Sequence, residues 1–308
     1  MWSILLSSNM QWVLVSTMVL GVAAGAVGCL SYFRRQNLMS DSLAHAALPG
    51  VVLAFLVIGE KNMLVLIIGA AISALIGAFF IQLISTSSRI SEDSSMGMIL
   101  SIFYGFGIML LTIANRSAGG NKSGLDNFIF GQAAAMVKTD VITMNILALV
   151  IIFALFIAFK EWKLYLFDPD FAQGIGLSSR GMNIFYTVLL VATIVVGIQA
   201  VGVILIAALM IIPAVSARYW AHSFSGMIIL SALFGGLSGA LGTFVSALGS
   251  GWPTGPFIVI AAAVVFIVSL LFGKEKGLLI RYIQFKKTQQ HVQKRHLLVP
   301  ATQEGDAE

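Results

Sequence analysis

Long stretches without Asp, Glu, Lys, Arg or His alternate with short polar connectors along the chain. These uncharged stretches cover residues 1–33, 62–88, 94–115, 141–159, 181–217 and 223–273. A helix needs about 20 apolar residues to cross a lipid bilayer, so the first four stretches each predict one span and the last two each predict two. The apolar sequence that follows Asn37 adds a further span. The pattern therefore predicts an all-α polytopic membrane protein with about nine spans.

The polar residues between the stretches set the expected limits of the spans. We expect the first span at about 12–33, the third at 62–84, the fourth at 96–114 and the fifth at 141–159. Residues 181–217 predict two helices that meet at a hinge near 197–202, and the count falls to eight if one of them is re-entrant. The sequence 249–256, rich in glycine and proline, divides the last stretch into two spans. A turn at Glu60–Lys61 and an interfacial or re-entrant segment at Phe128–Phe130 are also expected.

Small residues recur one turn apart in two of the predicted spans. Gly21 and Gly25 stand in G-x-x-x-G spacing, and so do Gly235 and Gly239. This spacing allows the backbone of a second helix to approach closely within a membrane.

Composition agrees with a chain whose main solvent is lipid. Hydrophobic residues make up 58%, charged residues 10%, and the mean hydropathy is +0.96. We expect one transmembrane domain over residues 1–273, followed by a tail over 274–308 that is first basic, then acidic, and partly disordered. The single cysteine, Cys29, excludes an intrachain disulfide and is expected to serve as a small packing residue.

The net charge of +5 predicts membrane topology rather than nucleic-acid binding, because the basic residues cluster at span ends and in the tail. If the C-terminus is cytoplasmic, the residues on the cytoplasmic side are Arg34, Arg35, Arg89, Lys160, Lys163, Arg180 and Arg218. Only Lys61, Arg116, Lys122 and Lys138 then lie outside. This distribution satisfies the positive-inside bias.

Asp41 and His45 supply the candidate chemistry. Residues four apart project from one face of a helix, and a carboxylate with an imidazole suits a divalent transition metal. Most such pairs are surface ion pairs or helix caps, but at the edge of an apolar span they are costly and typical of an ion or proton pathway. Two ligands leave a metal under-coordinated, so a two-fold partner would bring two more. Pro49 and Gly50, one turn further on, predict a helix break near the site.

A polar segment over residues 160–181 interrupts the second half of the chain. Asp168 followed by Pro169 is typical of a helix start, and Gly174 and Gly176 are expected helix stops. We expect a short exposed helix. A plain solvated connector and a docking site for a partner are both compatible with this composition.

Several of these residues resemble the signature of one transporter family. Arg34–Arg35 followed by residues 40–50, SDSLAHAALPG, is similar to the D-A-L-S-H-x-x-L-P-G sequence of the manganese, zinc and iron ABC transporter permeases. The resemblance continues through Glu92–Asp93 and Gly97, through Asp168, Ala172 and Gly176, and through residues 201–218. Ser40, Ser42 and Ala44 depart from the usual Gly, Ala and Ser, and none of the three would be a ligand.

The resemblance implies a fold similar to the cobalamin importer permeases, in a bacterial plasma membrane. It implies pairing with a second copy or a sister permease, with cytoplasmic ATPase subunits and with an extracellular metal-binding protein. Asp41 and His45 become the ligands of the transported ion, and Asp168, Ala172 and Gly176 mark a cytoplasmic coupling helix. The chain itself has no G-x-x-x-x-G-K-[ST] loop, so it is expected to be a transport subunit and not an enzyme.

Two other functions remain open at this point. A proton-coupled secondary metal transporter would use the same Asp and His as its coupled site. A membrane scaffold would need neither residue for metal. Manganese is our first expectation for the cargo of an importer, with zinc and iron also open, because carboxylate and imidazole serve all three.

Overall fold

The computed structural model describes residues 8–59, 62–117, 131, 136, 138–249 and 252–280. Within these residues the chain is helical throughout. The helices are α1 Ser8–Phe33, α2 Asn37–Ile58, α3 Met63–Ser87, α4 Glu92–Ser117, α5 Lys138–Ile157, α6 Phe159–Phe167, α7 Pro169–Gly174, α8 Ser179–Val201, α9 Val203–Arg218, α10 Phe224–Ser246 and α11 Thr254–Phe272. The predicted turn at 60–61, the segment at 128–130 and the tail beyond residue 280 lie outside the described residues.

The predicted all-helical membrane fold is confirmed. Eight of the described helices are long and apolar enough to cross a membrane. The ninth apolar helix, α9, has 16 residues and spans about 24 Å, which is less than the hydrocarbon thickness of about 30 Å. The count is therefore eight or nine, depending on how α9 is classed.

Helices α8 and α9 form a tight hairpin. Gly202 joins them with a φ of 94°, a conformation that L side chains rarely adopt. Asn183, near the start of α8, hydrogen-bonds to Arg34 at the end of α1. Tyr219, just after α9, accepts a hydrogen bond from the backbone of Glu275, just after α11. The start of α8 and the end of α9 thus lie at one end of the bundle, as the predicted hinge near 197–202 requires.

Aromatic side chains gather at this end of the bundle, which we call the α6 end. Phe33 contacts both Phe167 and Phe224 edge-to-face, and Phe159 stacks on Phe224. The segment 160–181 was expected to hold one short exposed helix, and this expectation is wrong in part. It holds most of two helices, α6 and α7. Helix α6 is not fully exposed, since its Trp162 is buried against Phe185 and Tyr186.

Glycines bring α1 and α10 into backbone contact, as the spacing of small residues predicts. A Cβ on Gly21 would overlap the carbonyl oxygen of Gly235 and lie 2.7 Å from its carbonyl carbon. One turn on, the Ser231 hydroxyl donates a hydrogen bond to the carbonyl oxygen of Gly25. Direct backbone contact of this kind is how small residues hold membrane helices together.

Candidate metal centre

Helix α2 carries both candidate ligands. Asp41 and His45 lie on one face, with 3.6 Å between Asp41 Oδ1 and His45 Nε2. The His45 side chain is 14% exposed and that of Asp41 is 38% exposed in the single chain. The imidazole is therefore held inside the helix packing, while the carboxylate remains accessible from the surface of the protomer.

The distance between these two atoms is longer than a hydrogen bond and close to the spacing of two ligand atoms on one metal ion. A separation of 3.6 Å is too long for a hydrogen bond between nitrogen and oxygen. Two ligand atoms, each about 2.1 Å from a tetrahedral metal, lie about 3.4 Å apart. The pair is thus spaced close to what joint coordination requires, without rearrangement of the helix.

The described residues offer this pair no third ligand from the same chain. Nowhere in the described ranges do three or more His, Cys, Asp or Glu side chains form a cluster that could hold a metal. The ring of His45 instead meets the ring of Tyr104 from α4, with 4.8 Å between centroids and an interplanar angle of 76°. His45 Nδ1 is buried and has no hydrogen-bond partner among the described residues. The described residues of one chain therefore bring together two candidate ligands, which is half of a tetrahedral set.

The predicted helix break at Pro49 and Gly50 is wrong. Helix α2 is continuous through both residues. Proline at position 49 removes the helical donor of the His45 carbonyl oxygen. At the neighbouring carbonyl oxygen, that of Ala46, the Ser73 hydroxyl of α3 donates a 2.7 Å hydrogen bond. A Cβ on Gly50 would lie 2.7 Å from the carbonyl carbon of Gly69, so α3 supports this turn directly.

The connector beyond α6 has the predicted local geometry. The Asp168 carboxylate caps α7 by accepting a 3.0 Å hydrogen bond from the backbone N–H of Phe171, and Pro169 is the first helical residue. Ala172 is fully buried, and Gly176 ends the turn with a φ of 95°. Three large apolar side chains near the α6 end are exposed, namely Phe167, Phe171 and Ile175.

A polar network at the α6 end was not predicted from the sequence. Arg34 donates to Asn183 at 2.8 Å and to Gln36 at 2.9 Å, and its guanidinium lies 4.5 Å from the ring centroid of Tyr186. Gln36, which precedes α2, donates in turn to Glu92 at the start of α4. The network borders a cavity of about 310 Å³. Arg34 and Asn183 are 149 residues apart in sequence, and Gln36 and Glu92 are 56 apart. No local sequence pattern could have predicted these two pairs.

A bundle of eight or nine membrane helices, with a short helix exposed at one end and a carboxylate–imidazole pair inside a span, defines a membrane transport permease. The chain belongs to the ABC 3 transport family, whose sequence pattern matches residues 7–273. It is the permease subunit of an ABC transporter and not a catalytic subunit.

Curated relatives and solved structures agree with this family. The chain is 41% identical to the manganese transport system membrane protein MntC of Bacillus subtilis, over 97% of this chain and 69% of that protein. It is also 41% identical to the zinc transport system membrane protein TroC of Treponema pallidum, over 88% and 91%. The solved structure of PsaBC from Streptococcus pneumoniae in complex with Fab matches with a TM-score of 0.78 and 32% identity, over 91% of this chain and 95% of that one. An inward-facing metal-chelate type ABC transporter matches with a TM-score of 0.65 at 16% identity over 84% of each chain, which supports the fold alone.

Proposed function

We propose that this permease imports a divalent transition metal, with manganese as the first candidate and zinc as the second, using Asp41 and His45 as ligands. The observation that carries the proposal is the 3.6 Å separation of a carboxylate oxygen and an imidazole nitrogen inside a membrane helix. The manganese and zinc systems named among its relatives support this choice of cargo. Iron is also compatible with these ligands, but no relative described above is named for it.

The half-site accounts for both binding and release. A second copy, or a sister permease with the same pair, would complete four ligands across a two-fold axis. The 38% exposure of the Asp41 side chain leaves it free to face such a partner. If the subunits move apart during the cycle, each half-site retains only two ligands and its affinity for the ion falls.

The α6 end is proposed to be cytoplasmic, with the tail that follows α11 on the same side. Arg34, Arg180 and Arg218 all lie at this end, as the positive-inside bias requires. Helix α7 is then the coupling helix. Asp168 caps it, buried Ala172 seats it on the bundle, and Gly176 turns the chain back towards α8.

Exposed Phe171 and Ile175 give the α7 region an apolar surface that ATPase subunits would cover. An extracellular metal-binding protein would deliver the ion to the opposite end of the bundle. This arrangement places the ATPases and the metal supply on different sides of the membrane.

Uptake of radioactive manganese and zinc by cells, or by vesicles containing the complete transporter, tests the ligand assignment. Asp41→Ala and His45→Ala are each expected to abolish uptake while the complex still assembles. Asp93→Ala and His222→Ala remove the same chemical groups from exposed positions and are matched controls that should retain uptake. Normal uptake by both ligand variants would refute the assignment.

The same preparation separates the proposed importer from a secondary transporter. An importer should stop when ATP is depleted, whereas a proton-coupled carrier should continue as long as a proton gradient is present. A scaffold would show no metal uptake in either condition. Growth under metal starvation, with each ion added back singly, then ranks manganese, zinc and iron.

A further inference from the structure

The imidazole of His45 is oriented by a ring contact where a hydrogen bond would be expected. Metal-binding histidines usually donate their second ring N–H to a carboxylate, a carbonyl or water, and this bond fixes the ring. Here His45 Nδ1 is buried and has no such partner in the part of the chain that the structure describes. The edge-to-face contact with Tyr104, at 4.8 Å between centroids, is the ring contact that the structure gives to this imidazole.

We propose that Tyr104 is the positioning residue of the metal half-site, holding His45 so that Nε2 faces Asp41. The proposal rests on the proposed function, because it takes Asp41 and His45 as the ligands. Aromatic pairs in this edge-to-face geometry attract one another beyond simple burial. The ring of Tyr104 therefore restricts rotation of the imidazole in the way that the missing hydrogen bond otherwise would.

Helix α4 is held firmly enough against α2 to perform this role. One turn beyond the ring pair, a Cβ on Gly107 would lie only 2.9 Å from Leu48 Cδ2, so the two helices are in close contact there. His45 and Leu48 are three residues apart, as are Tyr104 and Gly107, so both contacts lie along one seam. The glycine allows the approach that brings the phenol ring to the imidazole.

Tyr104 is accessible at the same surface as the candidate carboxylate. It is 38% exposed at the protomer surface, as is the side chain of Asp41. Its loss should therefore weaken binding of the ion without removing a ligand. Outer partners of metal ligands typically change metal affinity by about 10- to 100-fold when they are mutated, and we expect a loss in the lower part of this range.

The test compares two variants of the complete transporter in lipid nanodiscs. Tyr104→Phe keeps the ring, and Tyr104→Leu replaces it with an apolar side chain that a membrane helix accepts. Phe106→Leu makes the same ring-to-leucine change two residues away on α4, at an exposed position, and is the matched control. Binding of Mn²⁺ is followed by electron paramagnetic resonance and binding of Zn²⁺ by calorimetry, and uptake gives KM and kcat separately.

We expect Tyr104→Leu to weaken binding of both ions about 10-fold and to raise KM more than it lowers kcat. Tyr104→Phe and Phe106→Leu should bind as the unmodified transporter does. Normal affinity in Tyr104→Leu would overturn the proposal, and equal losses in the Phe and Leu variants would assign the effect to the hydroxyl and overturn the ring contact as its cause. If Asp41→Ala and His45→Ala bind and transport normally, the proposed function itself fails, and this result is distinct from either outcome at Tyr104.

Discussion

The contact between α1 and α10 makes a quantitative prediction about stability. In Gly21→Ala, the new methyl group would lie 2.7 Å from the carbonyl carbon of Gly235, whereas real Cβ contacts essentially never fall below 3.0 Å. The obstructing atoms belong to the backbone of a long helix, so no side chain can rotate away. The helices must separate, and neighbouring contacts along the seam are lost with them.

The expected cost follows from the energetics of overpacking. Adding a methyl group to a closely packed interior costs about 1–3 kcal/mol. For a chain of this size, each kcal/mol lowers Tm by about 2 °C, so the Tm of Gly21→Ala should lie about 2–6 °C below that of a glycine-to-alanine control that has the same gain in helix propensity. The assay is thermal unfolding of the purified transporter, followed by the loss of its peak in size-exclusion chromatography.

Gly105→Ala is the matched control. It makes the same substitution in α4, where a new Cβ would meet nothing within 4 Å. Because alanine favours helix over glycine by about 1 kcal/mol, this variant should be unchanged or slightly more stable. Equal Tm values for Gly21→Ala and Gly105→Ala would show that the α1–α10 contact is not as close as described, and would refute the reasoning.

Three smaller effects are expected elsewhere. Ser73→Ala removes the hydroxyl that supports the Pro49 turn and should cost about 0.6–1.7 kcal/mol in the same thermal assay, whereas Ser101→Ala, at an exposed position, should cost less. Ala172→Leu enlarges a fully buried side chain in α7 and should reduce co-purification of the ATPase several-fold, whereas Thr112→Leu, at an exposed position near the other end of α4, should not. His222→Ala breaks an exposed ion pair with Glu275 and should change stability by less than about 1 kcal/mol, and a larger loss in that variant would contradict this assignment.

The membrane spans and the α7 cap could be predicted because both depend on local sequence. Uncharged stretches of sufficient length define the spans, and a carboxylate directly before a proline defines the start of a short helix. The G-x-x-x-G spacing also identified the closely packed helices, although it did not reveal that α1 and α10 are each other's partners. The pairing of Asp41 with His45 followed from helical periodicity alone.

The remaining features depend on residues that are distant in sequence. The sequence at Pro49 predicts a break in α2, but the helix is continuous there. The Ser73 hydroxyl of α3 hydrogen-bonds to the Ala46 carbonyl in the same turn, a contact between residues 27 apart in sequence. Trp162 lies in a polar segment, and only the folded bundle shows that it is buried. Tyr104 has no sequence signal that connects it to His45, because the contact depends on how α4 is rotated against α2.

The distribution of glycines divides the protomer into parts that differ in their freedom to move. Gly28 of α1 packs directly on the backbone of Met210 in α9, so α1 is in main-chain contact with both α9 and α10. Helices α2 and α3 are in the same kind of contact at Gly50. Helices in such main-chain contact cannot slide past one another without a steric clash. The side chain of Arg34 adds polar contacts from the end of α1 to Asn183 of α8 and to Gln36, just before α2. Any rearrangement of the protomer that keeps these main-chain contacts has to move α1, α9 and α10 together, and α2 together with α3.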